Sequence, residues 1–587
     1  MQVSDYIANF LASRQIYHVF GLSGGASLHL LHSIRKHAQL RLVCCHHEQS
    51  AAMAADGYAR VTHKPSAVIT TSGPGATNLI TGIATSYYDS IPVLFITGQV
   101  STFRSSQGSP LRQYGFQETP IVDIASPIVK RSYYIKSVSE LPSILNDAYK
   151  TMLSGRMGPV LIDIPDNLQR ESISQPLPSF STPTKNPSSS IDLTKLQSRL
   201  AASSSPILLI GWGVELTAST SRLINLATKL GIPVVCTWGA RNVINSHHPL
   251  FAGIIGTHSD RAANIILKDA DLLIALGTRL DTKATGSPAS HFAPNAYKVV
   301  FDIDPHELSK YERLGINVEL PITADLACLD TWNALFSINA PASCTFLDWR
   351  NYISKLIQHC QKYDSKPISS RNSVGPNSFF KAISVSTHSP LNIMVDTGCA
   401  IAWAMKYIDR NHNLTIYHDN NNTAMGWSIP ALLGAYLAFP NRFHVAIVGD
   451  GSFMFTLSEL ATLKSQGVAA TIFVLNNQGY SMIKQTQDQW LNSQYVASDS
   501  PSDMTFPTYR LIAEAFGLAY TCLSSSAELH EIPSLLFTNV LTLVEVIINP
   551  NERVFPIVRY GSANYDMEPS IPYFPCFSSW RTSSLPI

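Results

Sequence analysis

The run HVAIVGDGSF (444–453), followed after a helix-length segment by a second apolar run ending in NNQGY (476–480), decides the fold. Each run is short, rich in aliphatic and β-branched residues and closed by a glycine or asparagine turn, as a strand covered on both faces should be. Two such strands joined by a helix become parallel neighbours with their carboxyl ends on the same edge of a sheet. Asp450 and Asn477, 27 residues apart, can then meet at one point. A carboxylate, an amide oxygen and the backbone carbonyl of Gly479 are hard oxygen ligands, and phosphate oxygens and water can complete the octahedron that magnesium requires. Gly449 and Gly451 let the backbone come close to phosphate groups. Either half alone is an ordinary turn; the two together, in this order and spacing, carry the reading.

The same rhythm runs through the chain, in VLFITG (93–98), VLIDIP (160–165) and DLLIALG (271–277), each bounded by Gly or Pro and followed by a helix-length segment. The expected fold class is α/β, with three doubly wound parallel-sheet domains. A Ser/Pro/Thr-rich stretch at 172–190 and a weaker break at 365–376 divide the 587 residues into blocks of roughly 1–171, 190–345 and 376–555, with a tail at 556–587 that has no clear pattern. The first and third blocks share an order of strand, glycine turn and helix, which is too general to establish duplication.

With 45% hydrophobic and 14% charged residues and a formal net charge of +1, nothing suggests nucleic acid or a membrane surface as a partner. No apolar run reaches membrane-spanning length. The N-terminus lacks the basic head of a signal peptide. Nine scattered cysteines offer neither a disulfide framework nor a zinc pattern, which favours a reducing, cytoplasmic setting. A nicotinamide-linked dehydrogenase is disfavoured, because no clear GxGxxG heads a strand-helix unit with an acidic residue about 20 positions on.

The Asp450–Asn477 motif, with its neighbours Gly451, Ser452, Gly479 and Tyr480, resembles the signature of thiamine diphosphate enzymes. That cofactor needs a carboxylate against N1′ of its aminopyrimidine, and Glu48 is the candidate. It lies in CCHHEQSAAMAADGYAR (44–60), where a strand-like LVCC ends and a small-residue helix begins. An unpaired Glu buried there would be costly, although a Glu at a helix N-terminus is more often a capping or dipole partner. TSGPGATN (71–78) can shape a wall facing the cofactor. His46 and His47 are expected to pack in the core or around the site, with His47 near the cofactor.

Over about residues 1–555 the chain resembles the large, catalytic subunit of acetolactate synthase and its thiamine-dependent relatives. The matching stretches include VFGLSGGAS (19–27), TSGPGATNLITGIATSYYDSIPVLFITGQV (71–100), FQETPIVDI (116–124), GRMGPVLIDIP (155–165), GTRLDTKATG (277–286) and AMGWSIPALLGA (424–435). The resemblance implies pyrimidine-binding, central and diphosphate-binding domains. It also implies a homodimer or tetramer in which Glu48 serves cofactor held by the partner subunit. Gly25, Phe116 and Gln117 would line the active site, and Met425 would be the apolar wedge that keeps the cofactor bent. The implied reaction decarboxylates a 2-oxo acid such as pyruvate and transfers the remaining acyl unit to an acceptor carbonyl; a simple decarboxylase would share every motif. FAD is expected in the central block, with Arg156, Gly211, Gly213, Gly277, Arg279 and Asp302 as its contacts.

Several positions depart from the family pattern. Thr486 stands where the branched-chain-pathway enzymes carry a Trp, which predicts a wider, more polar acceptor pocket and a shift in selectivity of roughly 1–3 kcal/mol. Cys399 and Ala400 replace a Gln-His pair, Asn420–Thr423 replace a glycine-rich turn, Ser23 replaces a Pro, Thr282 an Asp and Lys283 an Arg. Thr282 and Lys283 bear on the flavin or substrate contacts; the other changes point to an acceptor other than a second pyruvate, such as a keto-sugar used in surface polysaccharide, or to neutral drift within an ordinary acetolactate synthase.

Overall fold

The computed structural model describes residues 1–106, 109–179, 191–339, 346–364, 372–499 and 504–583. In it the two runs that opened the sequence reading are adjacent parallel strands, paired from Val445 against Thr471 to Gly449 against Leu475. Parts of both expected linkers, 180–190 and 365–371, lie outside the described residues.

Among those described there are three six-stranded sheets. The first comprises β1 (His18–Gly21), β2 (Arg41–Cys44), β3 (Ser66–Thr70), β4 (Val93–Gln99), β5 (Arg131–Tyr134) and β6 (Val160–Pro165) in the order 2-1-3-4-6-5. The second comprises β7 (Pro206–Ile210), β8 (Val234–Cys236), β9 (Phe251–Ile254), β10 (Leu272–Leu276), β11 (Tyr297–Asp302) and β12 (Leu320–Thr323) in the order 12-11-10-7-8-9, which is the Rossmann order. The third comprises β13 (Leu391–Val395), β14 (Leu414–Tyr417), β15 (Phe443–Gly449), β16 (Thr471–Asn476), β17 (Ala519–Leu523) and β18 (Thr542–Ile547), in the order 14-13-15-16-18-17. Numbered within its own sheet, the third repeats the first strand for strand. The general likeness of the first and third blocks is therefore a shared topology. β4, β6 and β16 are buried along their whole length, which explains their unbroken apolar runs.

Seven helices position the site: α1 (Glu48–Thr62), α2 (Ile80–Tyr88), α3 (Cys399–Tyr407), α4 (Ser428–Ala438), α5 (Asp450–Phe455), α6 (Glu459–Ser465) and α7 (Ser481–Trp490). α1 and α4 cross in the first and third domains' shared core, and their small residues set the distance. A Cβ on Gly434 would lie 2.1 Å from the carbonyl oxygen of Ala54, and one on Gly57 would lie 2.5 Å from the Cα of Ala431. Only backbone this bare allows such an approach.

Through residue 583 the tail lies on the second domain. Arg261 donates to the carbonyls of Met567 (2.6 Å) and Pro569 (2.7 Å). Phe577 meets Trp349 edge to face at 4.9 Å. Among the described residues no helix is long and apolar enough to cross a membrane.

Candidate active site

Two groups of site residues form at strand ends. In the first, the turn after β3 gathers the N-terminal candidates. Asn78 donates its amide to Glu48 Oε2 at 2.9 Å, and the Gly75 backbone comes close to Glu48 Oε1. Glu48 is buried at the start of α1. Thr71 Oγ1 accepts from the Ala26 N–H, which brings Gly24 and Gly25 onto the same wall. Gln117 packs on Gly73 with φ +63, and Phe116 beside it is 86% exposed. Gly25 faces open space. His46 and His47 are exposed rather than in the core: His47 caps α1, accepting from the Gln49 N–H, and its backbone carbonyl takes the Ala51 N–H. The His46 N–H instead donates to Glu459 on α6. Neighbouring residues at a strand-to-helix turn were free to point outward, and the sequence offered no sign of which way.

The second group surrounds Asp450. Its carboxylate is 2% exposed, accepting from the Gly451 N–H on one oxygen and from the Asn477 and Gly479 N–H groups on the other. Burial pushes this carboxyl up to about 6 against the pull of those N–H groups. Asn477 Oδ1 is buried with no hydrogen-bond partner. A buried amide oxygen without a partner, beside a buried carboxylate, is a coordination position in want of a cation. Gly451 lies directly under the Tyr480 ring, where a Cβ would come within 1.9 Å of it. Asp450, Asn477 and the Gly479 carbonyl fit magnesium, with Ser452 and Tyr480 beside them. Met425 is half-buried in the turn before α4.

Trp427, two residues past Met425, donates to Asp56, which lies two turns along α1 from Glu48, about 12 Å along the helix axis. The Met425 turn thus meets the middle of α1.

Thr486 is half-buried on α7, and its hydroxyl donates to the Met482 carbonyl one turn back. That hydroxyl is thus already engaged.

A parallel-sheet α/β enzyme with a magnesium-ready strand-end notch and a carboxylate wall is the class these features define. Residues 1–125 match the thiamine pyrophosphate enzyme N-terminal TPP binding domain, residues 193–335 its central domain and residues 396–546 its C-terminal TPP binding domain. The acetolactate synthase large subunit of Lactococcus lactis is 31% identical, over 94% of this chain and 93% of its own. The isozyme 2 large subunit of Escherichia coli K12 is 31% identical over 97% and 99%, and the chloroplastic acetolactate synthase of Arabidopsis thaliana 30% over 96% and 84%. The chain belongs to the thiamine pyrophosphate enzymes and is acetolactate synthase-like over nearly its whole length. It is a thiamine diphosphate-dependent enzyme of the transferase/lyase type, with the magnesium-dependent 2-oxo acid carboligase chemistry of that family.

The flavin assignment is withdrawn. All three matches are to thiamine pyrophosphate domains, the central block included, and none brings a flavin-binding module. The residues read as flavin contacts have other work. Arg156 pairs with Glu307 at 3.0 Å and faces Asp304 at 3.6 Å, while Arg279 faces Asp281 at 3.6 Å. Asp302 accepts from the Asp304 N–H. Gly211, Gly213 and Gly277 are glycine because the ends of β7 and β10 touch: a Cβ on Gly211 would lie 2.4 Å from the Gly277 carbonyl oxygen, and one on Gly213 2.9 Å from the Gly277 Cα. Gly213 and Gly277 also line, with Arg156, Arg279 and Asp302, a cavity of about 760 Å³.

Asn78 lies within the TSGPGATN motif, and nothing in that motif signals its bond to Glu48. Asp396, Asp419, Thr456 and Glu459 were missed altogether; an aspartate ending the apolar run LNIMVD was the available signal for the first of them.

Proposed function

We propose that this enzyme takes pyruvate as donor, releases carbon dioxide, and joins the remaining acetyl unit to an acceptor carbonyl. The buried, unpartnered Asn477 side-chain oxygen beside Asp450 carries the reading, because a bound cation would give it its missing partner. Asp450, Asn477 and the Gly479 carbonyl would hold magnesium, with Gly451, Ser452 and Tyr480 around the diphosphate. Thiamine diphosphate bound there supplies the electron sink for decarboxylation. Met425 supports its thiazolium side. Glu48 holds a proton at N1′ of the aminopyrimidine, and Asn78 fixes Glu48 for that contact by binding its second oxygen. In one chain the Met425 turn abuts the middle of α1, so Glu48 would come from a second copy in a homodimer or tetramer. Gly25, Phe116 and Gln117 would then close the acceptor side and exclude water.

Thr486 favours an acceptor larger than a second pyruvate, of the keto-sugar class, since a Trp-sized wall is missing there. The test is product analysis by mass spectrometry after incubation with thiamine diphosphate, magnesium and pyruvate, with and without candidate acceptors. Rapid acetolactate from pyruvate alone makes this an acetolactate synthase in which Thr486 is tolerated. Carbon dioxide release that depends on an added keto-sugar supports the larger acceptor. Acetaldehyde as the sole product, whatever the acceptor, defeats the carboligase reading.

A further inference from the structure

The turn that carries Met425 is gripped by two buried carboxylates in alternating register. Asp419, just beyond β14, accepts from the backbone N–H of Asn422 at 3.2 Å and of Ala424 at 2.8 Å. Asp396, just beyond β13, accepts from the N–H of Gly426 at 3.0 Å and of Ser428 at 2.9 Å. Amides 422, 424, 426 and 428 thus all end on a carboxylate oxygen, and Met425 stands at their midpoint. Gly426 has φ +87, and a Cβ there would lie 2.9 Å from the Cβ of Phe455. Its carbonyl is held from the other side by Thr456 Oγ1 at 3.0 Å.

The grip reaches beyond the turn. Thr85 of α2 donates to Asp419 at 3.2 Å, and the Asn422 side chain donates to the Thr85 hydroxyl at 3.0 Å. The Asn420 N–H donates to Asp89 at 2.7 Å, and Asp89 pairs with the buried Arg60 at 2.7 Å. Asparagines that replace a glycine-rich turn here tie the Met425 segment to the first domain. Asp396 and Asp419 are 1% and 6% exposed, and burial raises the pKa of both. A turn that merely had to close could use backbone carbonyls at less desolvation cost. Two carboxylates with fixed forks instead set where each amide, and hence the residue between them, must lie.

We propose that Asp396 and Asp419 are positioning residues of the cofactor site, fixing the height and direction of Met425 so that bound thiamine diphosphate is held in its reactive shape. This rests on the reading of Met425 as the cofactor's support. Neither carboxylate touches the reacting atoms; Asp419 acts through the turn, and Asp396 through the turn and the Ser452 hydroxyl.

The test compares Asp396→Asn, Asp419→Asn and Thr456→Val with the full-length wild type. Thr456→Val removes the grip on the Gly426 carbonyl without disturbing a buried charge, so it decides the matter if the Asn variants fail to fold. In the cofactor-free protein, amide hydrogen exchange of the 422–428 peptide should quicken by about 10-fold while β15 and β16 keep their protection. Affinity for magnesium thiamine diphosphate, measured by Trp fluorescence, should change by less than about 3-fold, because Asp450 and Asn477 are intact. Deuterium exchange at C2 of the bound cofactor, and kcat, should fall by about 10-fold or more, with KM for the donor nearly unchanged. Wild-type C2 exchange in a variant whose 422–428 amides have loosened would overturn the proposal. So would a loss of exchange that only tracks the loss of bound cofactor or of global stability. If the wild type itself binds no thiamine diphosphate, the functional reading fails, whereas the amide exchange still reports whether the carboxylates hold the turn.

Discussion

Glu48 and Asp163 are both buried carboxyls, and their surroundings give them opposite work. Glu48 opens onto a wall of glycine and threonine and is oriented by Asn78, so its free edge is available to a ligand. Glu48→Gln keeps the shape and the Asn78 contact but cannot hold the proton. The variant should bind cofactor and melt as the wild type does, with C2 proton exchange slowed by about 100-fold or more; normal exchange, followed by NMR in deuterated buffer, removes Glu48 from its role. Asp163 accepts from Thr97 at 2.6 Å and Gln99 at 2.9 Å, and Gln99 also holds the Thr119 carbonyl beside the Phe116–Gln117 segment. Burial raises its pKa from 3.8 to about 7. Between those values the folded chain binds the proton that the unfolded chain has released, so this group's contribution to stability falls as pH rises from about 4 to 7 and is level above. Asp163→Asn, which mimics the protonated form, removes that slope. Its melting temperature relative to wild type should rise across that window in paired thermal melts. A flat difference would show that Asp163 keeps an ordinary pKa.

At the scale of elements, the site depends on where backbones can touch. The α1/α4 crossing fixes the Met425 turn against the first domain, and it exists because Gly57 and Gly434 face backbone atoms of the opposing helix. Gly434→Val should force the helices apart at a cost of about 2–3 kcal/mol, read as a lowered denaturation midpoint. Gly25→Ala is the useful contrast, because no atom lies within 4 Å of the added carbon. Its midpoint should stay within about 0.5 kcal/mol of wild type while donor or acceptor KM changes, since the methyl enters the site's open face. Equal destabilisation of both variants would mean that the crossing is not the constraint. This scale also shows what the sequence could convey. The Asp450–Asn477 pairing was legible because a strand-helix-strand unit converts a sequence interval into proximity. Glycines 211, 213 and 277 were visible too, but a bare glycine after a strand does not say whether a ligand or another backbone comes close. Here β10 comes close to β7. The clamp of Asp396 and Asp419 was illegible for a third reason: each is a lone aspartate past a strand, and its partners are the amides of a turn that passes over both strand ends.

In the whole molecule, the first and third sheets share one topology, and α1 and α4 pack against each other in the core between them. In a single chain the Met425 turn meets the middle of α1, although the proposed chemistry needs Met425 and Glu48 on one cofactor. A twofold pairing of two copies resolves this, because each first domain can then face the other copy's third domain, giving two equivalent sites. Phe116, Tyr114 and Leu111 are exposed in the single chain. Two inactive variants should then repair one another. Glu48→Gln lacks the proton-holding carboxylate and Asp450→Ala lacks the magnesium ligand, so each is inert as a pure protein. After mixing in equal amounts under conditions that allow subunit exchange, half of the dimers would carry one intact site of two, and activity should recover to about a quarter of wild type. Recovery near that fraction, lost when exchange is blocked by crosslinking before mixing, places Glu48 and Asp450 of each site on different chains. Mixtures that stay inert while exchange is verified by mass spectrometry would require both residues to act from the same chain, and α1 would then have to move relative to α4 when cofactor binds.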